Sequence, residues 1–126
     1  MRFTLWLAVI AGCAEPTPES RCNACTELFA SIGVEVVHLD GQPALGLDAK
    51  TVHVASGLIV HALNDNATGF YTIIDDNTQV SPAGERFRFT VLDDSTDLAT
   101  RDVEIGSDEC GCHIEAFDVP MQIVVP

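Results

Sequence analysis

Five side chains at two short spacings carry most of the chemical potential of this sequence. Cys22 and Cys25 form a C-x-x-C pair near the start, and Cys110 and Cys112, followed by His113, form a second group near the end. Four thiolates, with the imidazole as a further ligand, predict a tetrahedral zinc site as one interpretation. In an oxidising compartment the same four cysteines predict disulfide bonds instead, because an even number of exported cysteines usually pairs.

The connectivity of such disulfides stays open among three arrangements. A bond between Cys110 and Cys112 would close a small, strained ring. A bond from Cys25 to the Cys110–Cys112 segment would tie the beginning of the domain to its end. It would close a loop of roughly 85 residues, worth about 4–5 kcal/mol in the chain-entropy model. We therefore expect at least one crosslink from Cys25, and no metal or other cofactor.

The N-terminus predicts export, which favours disulfides over zinc. Met1-Arg2 is followed by an uncharged, mostly apolar run, residues 3–12, which fits a secretory signal and is too short to span a bilayer as a helix. Ile10-Ala11-Gly12-Cys13 resembles the bacterial lipobox, in which the cysteine becomes the lipid-bearing first residue of the mature chain. The sequence thus predicts a lipoprotein signal peptide over residues 1–12 and lipidation at Cys13.

Residues 13–24 predict an extended tether, because two prolines lie among polar residues without an apolar period. Acyl chains on Cys13 would hold the protein to a bilayer. Ala14 beside that cysteine favours the outer membrane if the host has two membranes. We expect a membrane-anchored lipoprotein of the bacterial cell envelope that faces the periplasm or the cell exterior.

The charge excludes nucleic acid as a partner. The chain has 6 Lys and Arg against 19 Asp and Glu, a net charge of −13, whereas phosphate binding needs clustered cations. The same charge repels anionic membrane surfaces, so attachment must come from the lipid. The expected partners are the membrane, through that lipid, and an envelope protein or glycan.

The elements that must position the cysteines are strands. Apolar and polar residues alternate in segments separated by turn signals about every 8–15 residues. No window outside the signal keeps the apolar spacing of a helix. The pattern predicts one domain over residues 25–126, an all-β, antiparallel β-sandwich of about seven strands. The expected strands are residues 32–36, 51–55, 58–62, 70–74, 86–91, 98–105 and 121–125.

Several motifs carry a resemblance to a known family. Residues 108–115 read Asp-Glu-Cys-Gly-Cys-His-Ile-Glu, and residues 25–27 read Cys-Thr-Glu. More generic motifs are Gly41-Gln42-Pro43, Val52 and Val54, Gly69-Phe70-Tyr71 and residues 87–91. Together they resemble small bacterial lipoproteins with a carboxypeptidase regulatory-like domain, a transthyretin-like (prealbumin-type), Ig-like sandwich, in which Val usually stands at the position of Ile114. The resemblance implies a seven-stranded sandwich and no defined activity.

Other candidate catalytic and metal-binding residues are few. The sequence contains no Gly-x-Ser-x-Gly, His-Glu-x-x-His or Gly-rich phosphate loop. His53 and His61 could face each other across a hairpin and bind zinc or copper with a carboxylate, although an exposed cross-strand pair is the simpler interpretation. Adjacent carboxylates such as Asp75-Asp76 are expected to face water.

We therefore expect no catalysis, and a structural or protein-interaction role at the cell envelope. Exposed loops at residues 63–68, 75–85 and 93–97 would carry any recognition. The alternative function is a carbohydrate- or peptide-binding module. An aromatic content of only 6% counts against the carbohydrate alternative, because sugars usually stack on exposed rings.

Overall fold

The computed structural model describes residues 28–126, and every regular element in this range is a strand. The predicted signal peptide, Cys13, the tether, Cys22 and Cys25 lie outside the described residues. The strands are β1 (Ser31–His38), β2 (Asp48–His53), β3 (Ile59–Leu63), β4 (Phe70–Asp75), β5 (Glu85–Asp93), β6 (Thr96–Ser107), β7 (Ile114–Asp118) and β8 (Gln122–Val125).

The strands form two sheets. One has three strands in the order β4-β1-β8, and the other has five in the order β3-β2-β5-β6-β7. All neighbours in the five-stranded sheet are antiparallel. In the three-stranded sheet β1 pairs antiparallel with β4 and parallel with β8, so that Val36 lies opposite Ile123.

The core follows the alternation of the sequence. In β5, Phe87, Phe89 and Val91 are buried and Arg86 and Arg88 are exposed, while the polar Thr90 departs from this alternation because it is also buried. Buried residues of both sheets belong to one hydrophobic cluster. Two hydrogen bonds lie within this core. Thr51 Oγ1 on β2 donates to the Ile73 carbonyl on β4 at 2.5 Å. Tyr71 OH on β4 donates to the carbonyl of Ala44, in the loop after β1, at 2.6 Å.

Two expectations about the strands were wrong. The structure has eight strands and not seven, because the segment after the cysteines forms β7. Four of the five residues of β7 are exposed, so the segment lacks the half-buried alternation that reveals a strand. The expected purely antiparallel arrangement also fails at β8, which runs parallel to β1. Alternation reports which face is buried and not the direction of the neighbouring strand.

The strand register places the functional candidates at one end of the molecule. Ser31 at the start of β1 pairs with Asp75 at the end of β4, and Ser107 at the end of β6 pairs with Ile114 at the start of β7. We call this end, which contains the turn with Cys110 and Cys112, the cysteine end. Loop 75–85 lies at the cysteine end, whereas loops 63–68 and 93–97 lie at the opposite end.

Candidate functional site

The cysteine-histidine segment is bound to the rest of the protein by Asp76, which directly follows β4. Oδ2 of Asp76 accepts the backbone N–H of Ala30 at 2.6 Å and the Nδ1–H of His113 at 2.7 Å. Oδ1 accepts the backbone N–H of Ile114 at 3.0 Å, and the N–H of Asp76 donates to the Ala30 carbonyl at 3.0 Å. One carboxylate thus joins the segment before β1 to the start of β7. We call these contacts the Asp76 clamp.

The environment of Asp76 keeps it ionised. Its side chain is only 10% exposed, so the expectation that it faces water was wrong. Burial by itself raises the pKa of Asp76, but the hydrogen bonds from Ala30, His113 and Ile114 outweigh burial and hold this pKa below its ordinary value. Hydrogen bonds to an ionised acceptor are stronger than neutral ones. The carboxylate is therefore suited to holding segments together and not to donating a proton.

Cys110 and Cys112 lie in the turn between β6 and β7, next to the Asp76 clamp. Asp108 shapes this turn, since its Oδ1 accepts the N–H of Cys112 at 2.8 Å and its carbonyl accepts the N–H of Gly111 at 2.9 Å. Gly111 has a φ of +67°, a backbone conformation that favours glycine. Cys110 and Cys112 thus lie in one turn, and His113 directly follows it; whether they act as one site with Cys22 and Cys25 stays a prediction of the sequence.

The predicted zinc site depends on residues that the structure does not describe. Cys22 and Cys25 lie outside the described residues, so the complete ligand set has no observed geometry. Within residues 28–126, no group of three or more His, Cys, Asp or Glu side chains is arranged to hold a metal ion. His113, the candidate fifth ligand, donates its Nδ1–H to Asp76. In the described part of the chain this histidine belongs to the clamp.

A second group of polar side chains, which the sequence did not reveal, joins His53 at the end of β2 to Glu85 at the start of β5. Nε2 of His53 lies 2.9 Å from Oε1 of Glu85, and its Nδ1 lies 2.7 Å from Oγ of Ser56. The second oxygen of Glu85 accepts the N–H of Ser81 at 2.9 Å. A hydroxyl, an imidazole and a carboxylate in line are the groups that activate a serine nucleophile. The group borders an open pocket of about 480 Å³.

The local hydrogen bonds indicate a structural role for this group. The hydroxyl of Ser56 accepts the N–H of Leu58 at 3.3 Å, and His53 forms backbone bonds of 2.8 Å with Leu58 and with Gly57. These contacts brace the turn between β2 and β3. The spacing of His53 and Ser56 could have revealed the first contact, but Glu85 is 32 residues from His53 and only the sheet brings it close.

The two strand histidines do not face each other, so the predicted cross-strand pair was wrong. His61 pairs with Thr51 in the sheet, and its Nε2 lies 3.6 Å from Oδ2 of Asp75. The side chain of His61 is 18% exposed and that of His53 is 22% exposed. Each histidine lies beside its own carboxylate and neither is an exposed surface residue.

No family model matches this chain, and no curated protein matches it. Within residues 28–126 no helix has the length and apolar character that crossing a membrane would require.

Proposed function

We propose that this protein is a lipid-anchored, extracytoplasmic β-sandwich with a structural or protein-interaction role at the bacterial cell envelope, and no catalysis of its own. The sequence supports the anchor through the signal-like residues 1–12, the lipobox-like residues 10–13 and the polar tether that follows. The all-β body, whose first strand begins at Ser31, supports a single folded unit carried by that tether. The strongly acidic charge supports attachment by lipid, because anionic bilayers repel it.

The proposed architecture is a face-to-face sandwich of the transthyretin-like kind. Buried side chains of the two sheets share one hydrophobic cluster, and the Thr51–Ile73 hydrogen bond crosses from one sheet to the other. A shared core between two sheets of short strands is typical of sandwich domains. The resemblance of residues 108–115 to small lipoproteins with a carboxypeptidase regulatory-like domain supports the same assignment.

The observation that carries this proposal is the Asp76 clamp. Any tether that precedes the described residues enters the body at Ala30, and both backbone polar groups of Ala30 are bonded to Asp76. A pull on the tether therefore reaches a carboxylate that also binds His113 and Ile114. A reinforced entry point suits a domain that is held at a membrane by its N-terminus.

Disulfide crosslinks at this entry point are part of the proposal. Cys25 precedes Ala30 by five residues, a stretch that spans at most about 17 Å. Cys112 is adjacent to His113, which binds the same carboxylate as Ala30. The clamp thus supports a bond from Cys25 to Cys110 or Cys112, with Cys22 pairing with the remaining cysteine.

Intact mass of the protein extracted from membranes tests the anchor and the crosslinks together. The expected mature chain lacks residues 1–12, carries acyl chains on Cys13 and gains mass on reduction and alkylation. A Cys13→Ser variant should lose the acyl mass, whereas a Cys110→Ser variant should keep it and lose one crosslink. An unacylated wild-type chain would refute the lipoprotein assignment, and four thiols that alkylate without prior reduction would refute the crosslinks.

A carbohydrate- or peptide-binding module is the second candidate function. The observation that favours it is Phe117 on β7, which leaves 46% of its surface exposed beside a pocket. Tyr71 is fully buried and cannot contact a ligand, whereas Phe70 and Phe117 are exposed rings on strands of the body and are the ones to test. Glycan-array or peptide-array binding that Phe117→Ala abolishes would support this function. Binding that persists in both Phe117→Ala and Phe70→Ala would count against it.

A further inference from the structure

A pocket of about 590 Å³ opens at the cysteine end, between the end of β6, the start of β7 and the loop before β5. Asp108, Glu109 and Glu115 are three acidic residues of its lining, and Ser107 and Phe117 also line it. Oδ1 of Asp108 is already bonded to the N–H of Cys112. No Lys or Arg of residues 28–126 lines this pocket. Its local charge is therefore strongly negative, which concentrates cations. We call it the acidic pocket.

Ser107 makes this pocket more than a group of surface carboxylates. The residue is only 5% exposed, and its Oγ is the one buried side-chain polar atom in the described part of the chain that has no hydrogen-bond partner. Leaving a buried hydroxyl without a partner costs about 1–3 kcal/mol. A native fold that retains such a group has a reason for it, and a ligand that donates a hydrogen bond is one such reason.

Phe117 forms a fixed wall of the same pocket. Its ring lies directly against Gly84 and Gly106, and a Cβ added at Gly84 would come within 2.9 Å of the ring. Side chains larger than hydrogen at these two positions would displace the ring. The ring is therefore held in place by backbone on one side, and 46% of the side chain stays exposed for contact.

We propose that the acidic pocket binds a primary ammonium group, presented as the lysine side chain of a partner peptide. An ammonium has three N–H donors and no acceptor, which matches carboxylates and one unpartnered hydroxyl oxygen. The alkyl stem of the lysine packs on Phe117, where the ring also attracts the charge. The Ser107 oxygen has almost no solvent exposure, so its contact with the ammonium requires a neighbouring side chain of the lining to move aside. The inference rests on the interaction role proposed above and does not use the lipid anchor.

The donor set separates an ammonium from other ligands. A metal ion needs three or more ligands that converge on one point, and the described residues contain no such group of His, Cys, Asp or Glu. An anionic ligand would meet three carboxylates without a compensating cation. A guanidinium carries the same charge as an ammonium but is a flat fork that prefers bidentate carboxylate contacts, so arginine serves as the discriminating competitor.

The test titrates the intact mature protein, in detergent micelles, with the acetylated and amidated tripeptide Gly-Lys-Gly. Backbone amide shifts of Ser107, Glu115 and Phe117 in NMR spectra should move in a saturable way. Acetylation of the lysine side chain should weaken binding at least about tenfold, because it removes the charge and two donors. Higher NaCl should also weaken binding, because it screens the charges.

Variants locate the binding within the acidic pocket. Glu115→Gln should weaken binding about tenfold, and Ser107→Ala should weaken it several-fold while leaving the fold intact. The matched control is Glu35→Gln, the same charge change on β1 in the other sheet, which should bind like the wild type. Phe117→Ala should reduce binding of the lysine peptide more than binding of methylammonium, since the latter has no stem.

Four outcomes would overturn the inference. The first is the absence of a saturable shift up to about 10 mM peptide, which corresponds to an affinity weaker than about −2.7 kcal/mol. The second is equal binding of the acetylated lysine peptide, and the third is equal or tighter binding of an arginine peptide. The fourth is a Ser107→Ala variant that binds normally and is only more stable, which would indicate a burial cost or a trapped water alone. Loss of acylation in the mass experiment would leave these results unchanged, so the two proposals fail separately.

Discussion

Asp76 connects parts of the chain that are far apart in sequence. It lies 46 residues from Ala30 and 38 from Ile114, and it accepts a hydrogen bond from the backbone of each. Both oxygens of the carboxylate accept hydrogen bonds from the protein: Oδ2 from Ala30 and His113, and Oδ1 from Ile114. The energetic importance of this single side chain should therefore exceed that of an ordinary acidic surface residue.

Asp76→Asn should lower the free energy of unfolding by about 2–3 kcal/mol, the value of one or two hydrogen bonds to a charged acceptor. The amide that replaces the carboxylate keeps one acceptor oxygen. Its NH₂ group, however, would face an N–H donor that the carboxylate accepts in the wild type, and two donors cannot form a hydrogen bond. Urea denaturation followed by circular dichroism measures the change. Asp118→Asn, the same substitution at an exposed position of β7, is the control and should change stability by less than about 0.5 kcal/mol. Equal effects of both substitutions would contradict the clamp.

The pH dependence of stability should report the same carboxylate. The pKa of Asp76 is lower in the folded than in the unfolded protein, so the ionised group stabilises the fold above its unfolded pKa of about 3.9. This contribution is lost as the pH falls through the lower folded pKa. The difference in stability between wild type and Asp76→Asn should be constant near neutral pH and shrink in acid. A difference that grows as the pH falls would have the wrong sign.

At the scale of elements, the turn between β5 and β6 shows how a sequence can fold against a local preference. Asp94 and Ser95 have φ values of 45° and 72°, the left-handed region that glycine adopts most easily. Asn-Gly is the preferred pair for a two-residue hairpin turn of this kind. The long pairing of β5 with β6, which begins at Asp93 opposite Thr96, holds the turn in place despite the strain.

Ser95→Gly should therefore raise the free energy of unfolding by about 1 kcal/mol, because it relieves the left-handed strain. Gly111→Ala should lower the free energy of unfolding by a similar amount, because Gly111 has a φ of +67°. A Cβ added at this position would meet no atom within 4 Å, so the cost would come from backbone strain alone. Thermal denaturation of the two variants measures both effects. Shifts of the same sign would contradict the assignment of strain to the backbone.

The strands themselves show what alternation can and cannot predict. Phe87, Phe89 and Val91 alternate with polar residues, and β5 was predicted because such a pattern is the signal of a half-buried strand. β7 has one buried residue, Ile114, and follows a cysteine turn, so it has no such signal. The sheet forms it because β6 is long enough to offer a free edge from Glu104 to Ser107.

At the scale of the whole molecule, some parts of the candidate site could be predicted from local sequence and others could not. The grouping of Cys110, Cys112 and His113 could be predicted from their spacing, since neighbours in sequence are neighbours in space. The Asp76 clamp and the pair His53 and Glu85 could not, because each joins segments that only the packing of strands brings together. The acidic pocket was missed for a further reason: the unpartnered hydroxyl of Ser107 is a property of burial, which no local pattern reports.

The charge of the molecule leads to a prediction about salt. With 6 cationic and 19 acidic side chains, the chain has a large excess of negative charge, and the resulting self-repulsion destabilises the compact state. The exposed pair Arg88–Asp102, whose Nε and Oδ1 lie 2.8 Å apart, offsets little of it, because exposed ion pairs contribute about 0–1 kcal/mol. Raising NaCl from about 10 mM, where the Debye length is about 30 Å, to about 0.5 M should screen the repulsion and raise Tm by several degrees.

A variant with fewer acidic groups separates screening from a general effect of salt. Asp93 and Asp97 are exposed carboxylates on either side of the β5–β6 turn, where Asp94 adds a third. Asp93→Asn with Asp97→Asn removes two of these charges, so Tm at low salt should rise and its response to NaCl should become smaller. Scanning calorimetry at both salt concentrations measures the two quantities for wild type and variant. A wild-type Tm that falls with NaCl would mean that attraction across pairs such as Arg88–Asp102 outweighs the repulsion among the acidic residues.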